Sequence, residues 1–121
     1  MSIPHFQAIM PRLLRFANDK REHSTKEAMK VLSHSFNLTE EEKNRTYRRR
    51  KASIFHNRFH WALSYLKHAG LLTGTNRGSF KITRRGGRVL EQNPENITEK
   101  YLYQFQEFKE FKTIKNLKNK L

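Results

Sequence analysis

"SIFHNRFHWALSYLKHAGLLTGTNRGSFKIT", residues 53–83, decides how this chain folds. In its first half the apolar residues recur at three- and four-residue spacing. That places Phe55, Phe59, Ala62, Leu66 and Ala69 on the core side of a long helix from about Ser53 to Ala69. Gly70 follows the last periodic residue, where a left-handed C-terminal cap belongs. In the second half, Leu71–Thr73 and Ser79–Thr83 read as short strands, and the GTNRG between them suits a hairpin turn.

Working outward, the N-terminal side supplies helices. Phe6, Ile9, Met10, Leu13, Leu14 and Ala17 form an apolar stripe, predicting a helix over Ile3–Ala17 with Pro4 in its first turn. Pro11 falls inside that pattern and implies a kink or a late start. NDKREH is a turn with room for one short strand. Ser24-Thr25-Lys26-Glu27 has capping-box spacing and opens a helix that buries Ala28, Val31, Leu32 and Phe36. Thr39-Glu40-Glu41-Glu42 repeats the signal for a short third helix. Beyond the hairpin, Thr83 caps a helix through RRGGRVLEQ, a reading weakened by Gly86 and Gly87. Thr98 opens a last helix to about Phe111, with Tyr101, Leu102, Phe105 and Phe108 as its stripe and a frayed KTIKNLKNKL tail. The fold class is mostly α with a small β-hairpin: a winged helix-turn-helix plus a C-terminal helix. Residues 1–96 form the winged-helix domain, and 97–121 the appended amphipathic helix and basic tail.

Charge distribution points to the same elements. The chain of 121 residues carries a net +14, with 36% apolar and 12% aromatic residues, enough for one modest core. Thirteen of its 25 Lys and Arg, and none of its 11 Asp and Glu, fall between Lys43 and Leu90. Ordinary soluble surfaces mix both signs, so a long block without a carboxylate implies a polyanionic partner. Double-stranded DNA fits best. A membrane fits poorly, because no run is long and apolar enough to span one and no lipid-facing basic helix is evident. The absence of cysteine removes disulfides and thiolate metal sites and suits the cytoplasm.

The side of the long helix opposite its core carries Ser53, Asn57, His60, Ser64 and His68, with Lys67 beside them. Asn57 can bond bidentately to adenine, and Ser53 and His60 share the N-terminal half from which such helices read bases. The alternative for each is a phosphate contact or plain solvation. Arg48, Arg49, Arg50 and Lys51 lead into this helix as candidate phosphate clamps. Arg58 lies on the core margin, where it could reach a phosphate or brace the wing, and Arg77 and Lys81 belong to the hairpin. Ile54, Trp61 and Tyr65 form a second apolar flank. Trp61 is read as packed under the hairpin or against a helix rather than as a base-stacking platform.

His56 and His60 are four apart, yet no third ligand is spaced nearby, so no metal is expected. Glu-x-Lys triplets begin at Glu41, Glu107 and Glu110, but they fall on helices, and Asp19 is the one aspartate in the chain. No active site and no cofactor are expected.

The same residues resemble a family. FHNRFHWALSYLKHAGLL followed by RGSFKITRRG is similar to the N-terminal domain of the Mrr-type restriction endonucleases. The similarity is carried by Phe55, Asn57, Arg58, Trp61, Ala62, Tyr65, Leu66, Ala69–Leu72, Arg77, Gly78, Ile82, Thr83 and Gly86, and covers about residues 3–111. The resemblance implies a winged-helix domain that targets DNA, with cleavage done by a separate nuclease domain or subunit. Two positions depart from the family pattern: Thr46–Arg50 replaces a Pro-Ser-Gly type turn, and His60 stands where a small residue is usual.

The reading is therefore a double-stranded DNA-binding module that is non-catalytic by itself. Its competitors are a small transcriptional regulator, homodimeric through Tyr101–Phe111, and a basic module that docks an acidic protein.

Overall fold

A computed structural model describes residues 3–46, 53–94 and 96–120. The first helix, α1 (Phe6–Phe16), is capped by His5 and runs through Pro11. It starts later than Ile3, leaving Pro4 outside the helix rather than in its first turn. A 3₁₀ turn (Ala17–Asp19) leads through Lys20, in the left-handed conformation, to strand β1 (His23–Ser24). Helix α2 (Thr25–Ser35) follows, then α3 (Glu40–Asn44) and the long α4 (Ile54–His68). Strands β2 (Leu72–Gly74) and β3 (Ser79–Ile82) form the hairpin, and α5 (Arg84–Gln92) leaves it.

Local chemistry sets these boundaries. The hydroxyls of Ser24, Thr39, Ser53 and Thr83 each accept a hydrogen bond from the backbone N–H three residues on. Thr39 and Glu42 complete a reciprocal capping box. At the other end of α4, Gly70 takes φ +80°, and Leu71 N–H reaches back to the Leu66 carbonyl.

The sheet is antiparallel with strand order β1-β3-β2; His23 sits opposite Phe80, and Leu72 opposite Ile82. A three-stranded sheet of this order, flanking α1, α2 and α4, makes the fold a winged helix with the β2–β3 turn as its wing. The core lies between α1, α4 and the sheet, with Phe59, Leu66, Leu72 and Phe80 fully buried. Val31 is 44% exposed, contrary to the sequence reading; Ser33 faces inward in its place, its hydroxyl bonded to the Lys30 carbonyl. Among the described residues no helix is long and apolar enough to cross a membrane.

The C-terminal segment also departs from expectation. Instead of one helix and a frayed tail there are two helices, α6 (Glu99–Leu102) and α7 (Gln106–Lys120), joined by a turn at Tyr103–Phe105. The turn lets Leu102 and Phe108 both reach full burial and sets the Tyr103 ring edge-on to Phe108. Lys112 fixes the next turn of α7 by donating to the Tyr65 hydroxyl at 2.9 Å and pairing with Glu99. Leu102 and Phe108, two members of the stripe offered for a homodimer in the regulator reading, are thus buried within the chain.

One ion cluster ties the early elements together. His23 Nε2 lies 2.8 Å from Asp19 and Nδ1 3.5 Å from Glu27, with the ring against Phe16. Burial works against its protonation, but the hydrogen bonds and charges of Asp19 and then Glu27 prevail and raise its pKa. Asp19 is held below its ordinary value by the Arg21 backbone N–H and then by His23. The cluster's stabilisation is therefore fully present below the ordinary histidine value of 6.5 and is lost as pH rises through the raised value. On the acid side it persists until Asp19 is protonated. Thermal melts across this range should show a fall in Tm above pH 6.5 for the wild type relative to His23→Gln. Parallel pH profiles for the two proteins would refute the assignment.

Candidate nucleic-acid interface

Three of the four sides of α4 are occupied. Phe55, Phe59, Ala62 and Leu66 face the core. On the adjoining flank Trp61 stacks on Phe6 of α1 at a centroid distance of 3.9 Å while its outer side stays 43% exposed. That is the helix-packing role expected of it, against α1 rather than under the hairpin. Tyr65 meets Phe108 and Phe111 edge-on, and His68 stacks flat on Phe111 at 3.7 Å. Helix α7 therefore takes one face of the His68 ring through Phe111, while the residue itself stays exposed. Burial, then Lys67 and Lys115, lower the His68 pKa, so it is neutral against that ring.

Arg58 also has a different task from the one expected. Its guanidinium donates to the carbonyls of Ile3 (3.0 Å) and Pro4 (3.3 Å), pinning the N-terminal segment onto α4. It does not brace the wing.

What remains is a strip along α4 made of Ser53, Asn57, His60, Ser64 and Lys67. Ser53 is the helix cap, its Oγ accepting from His56 N–H at 3.0 Å, so its side chain is partly committed. Among the described residues the side chains of Asn57, His60, Ser64 and Lys67 form no hydrogen bond or ion pair within the chain. His60 is half-buried, 4.4 Å centroid to centroid from His56. Burial first, then the charges of His56 and Lys67, depress its pKa, so at neutral pH it is an uncharged imidazole able to donate or accept. Among the described residues no three His, Cys, Asp or Glu side chains converge as metal ligands would.

The strip is continuous with the wing. Lys67 Nζ lies 3.8 Å from where a Cβ on Gly74 would stand, at the end of β2. Arg77, in the turn, and Lys81, on β3, are both exposed. One acid is present here that the acid-free block did not announce. Glu22, just ahead of β1, accepts hydrogen bonds from the Thr75 hydroxyl and from Asn76 Nδ2 (3.0 Å), holding the turn.

At the other end of the strip, Thr46 and Ser53 form an antiparallel bridge, and Ile54 N–H donates to the Arg45 carbonyl at 2.7 Å. Arg48, Arg49, Arg50 and Lys51 lie between those bridged residues in sequence and outside the described residues. Of the cations in the block, Arg85 is committed elsewhere: it bonds the Ala69 carbonyl and pairs with Glu107 at 2.8 Å. Helix α7 adds cations that the sequence reading assigned to a frayed tail. From Phe111 onward its sequence carries Lys112, Lys115, Lys118 and Lys120 and no acid. The three-residue spacing of Lys112, Lys115 and Lys118 alongside Phe108 and Phe111 was the available signal for a helix.

A family model described as the Mrr N-terminal domain matches residues 6–92. The matched span runs from the first residue of α1 to the last of α5, and it stops short of the Tyr101–Phe111 segment. Nothing among curated proteins or solved structures matches the chain.

Proposed function

Because the chain belongs to the family of Mrr N-terminal domains, we propose that it is a double-stranded DNA-binding module of a restriction system, non-catalytic by itself. Cleavage would then come from a nuclease domain or subunit. The observation that carries this reading is the α4 strip, the side of the helix left without a partner among the described residues. It is bounded at one end by the bridged entrance to four consecutive cations and at the other by the wing.

In this reading α4 enters the major groove, where Asn57, His60 and Ser64 present short donors and acceptors to base edges. Arg48, Arg49, Arg50 and Lys51 neutralise phosphates beside the helix N-terminus, and Arg77, Lys81 and Lys67 do the same along the wing. Such contacts position the protein without reading sequence. Arg58 supports α4 from behind and touches no DNA.

Duplex binding should fall steeply with salt, with a log–log slope of about −5 for roughly six phosphate contacts between about 50 and 200 mM. Filter binding checks this, and a flat or undetectable response would end the proposal. The joint substitution Arg49→Ala and Arg50→Ala should weaken all duplexes alike and flatten the slope. Asn57→Ala should instead change the preference among sequences by about 1–3 kcal/mol. Uniform loss in both variants would remove Asn57 as a base reader while leaving the phosphate contacts standing.

A further inference from the structure

A half-open cleft of about 670 Å³ lies at the root of the sheet, at the end of β3 away from the wing turn. It separates the 3₁₀ turn from the first turns of α5. Lys20, Arg84 and Arg88 line it, against one carboxylate, Glu91. Among the described residues none of these three cations takes part in an ion pair. Ile82 and Leu90 form an apolar wall, and Asn18 adds an amide.

Two residues of this cleft run against local preference, in opposite senses. Lys20 holds φ +67°, a conformation that glycine adopts freely and that a lysine adopts at a cost. Gly87 lies within α5, where any residue but proline would favour the helix more than glycine does. Its neighbour Gly86 has a packing reason to lack a Cβ, but a Cβ on Gly87 would meet nothing within 4 Å. A side chain is kept where glycine would be easier, and a glycine where a side chain would be easier, on the two walls of one cavity. The chain's own packing accounts for neither, whereas a bound group facing Lys20 and needing the space above Gly87 accounts for both.

We propose that this cleft binds a nucleotide, its phosphate held by Lys20, Arg84 and Arg88 and its base laid against Ile82 and Leu90. The volume suits one such unit, since pockets for small ligands run to about 300–1,000 Å³. A guanidinium pair one helical turn apart matches the oxygens of a phosphate. The site is separate from the α4 strip and does not depend on it. Its nucleotide could be free in solution or part of a strand.

Calorimetric titration of the full chain with adenosine, AMP, ADP and inorganic phosphate tests it, alongside short duplex and single-stranded oligonucleotides. Gly87→Leu is the main variant, because it puts an apolar side chain into the cleft and keeps every charge, and its Cβ would meet no atom of the fold within 4 Å. Arg84→Gln with Arg88→Gln removes charge instead. AMP and ADP should bind at least about tenfold more tightly than adenosine, and each variant should lose that advantage. If free nucleotides are weak but oligonucleotides lose about tenfold in Gly87→Leu, the nucleotide is taken from a strand and the site stands. Unchanged binding of both nucleotides and oligonucleotides in Gly87→Leu would overturn it, as would adenosine binding as well as AMP. Duplex binding weakened in the Arg49/Arg50 variant but kept in Gly87→Leu, with AMP and ADP binding no better than adenosine, would leave the α4 strip alone and overturn the cleft.

Discussion

Gly86→Ala should destabilise the protein by about 3 kcal/mol, near the upper end of what overpacking a core costs. Gly86 is buried where α5 starts against the end of the hairpin. An added Cβ would stand 2.2 Å from the Leu71 carbonyl oxygen and 2.7 Å from Ile82 Cγ1. The first of these atoms is backbone, so relief requires either moving the strand that follows α4 or lifting α5 away. Lifting α5 would strain the bond from Gly86 N–H to Thr83 Oγ and those from Thr83 to the Gly70 and Leu71 carbonyls. In a domain of this size the loss corresponds to a fall in Tm of roughly 10 °C. Gly87→Ala, one residue on, should behave oppositely and gain up to about 1 kcal/mol from helix propensity alone. Denaturant unfolding of the two variants gives a sharp comparison: equal effects would show that α5 does not approach β2 as closely as described.

Phe108→Ala should cost about 4 kcal/mol, in the range for truncating a buried aromatic side chain. Phe108 is fully buried, edge-on to Tyr65 of α4 and to Tyr103, with both ring centroids 5.2 Å away. Among the described residues it is the one fully buried side chain of α7, with Phe111 packed beside it against the core. The polar links nearby, Arg85 to Glu107 and Lys112 to Glu99, are partly exposed ion pairs and cannot replace it. Unfolding should remain a single transition at lower denaturant, and the near-ultraviolet signal of Tyr65 should change with it. A cost below about 1 kcal/mol would mean that α6 and α7 are an appendage rather than part of the core.

The parts of this fold that were legible in the sequence are those whose cause is local. Ser24, Thr39, Ser53 and Thr83 announce helix starts because a cap and the N–H it satisfies are three residues apart. The hairpin is equally local. The core face of α4 was readable because periodicity states which side is apolar. The missed features are side chains that cross long stretches of chain. Nothing around Arg58 reveals that its partners are the carbonyls of Ile3 and Pro4, more than fifty residues earlier. Nothing around Glu22 reveals the wing turn. The charge count was right as a count, but it could not say that Arg58 and Arg85 are engaged by partners of their own within the chain. Within α6–α7 the stripe was visible and the bend was not, because Tyr103–Phe105 carries neither glycine nor proline to mark it.

The grip of Glu22 on Thr75 and Asn76 changes when the wing loses its freedom. A turn at the tip of an isolated hairpin samples many conformations and must surrender them on meeting a partner, an entropic loss that weakens the complex. Here the surrender takes place as the chain folds, when β1 is laid beside β3 and the carboxylate seizes the turn. Whatever then touches the wing meets a surface whose shape is already fixed, and the ordering cost falls on folding rather than on association.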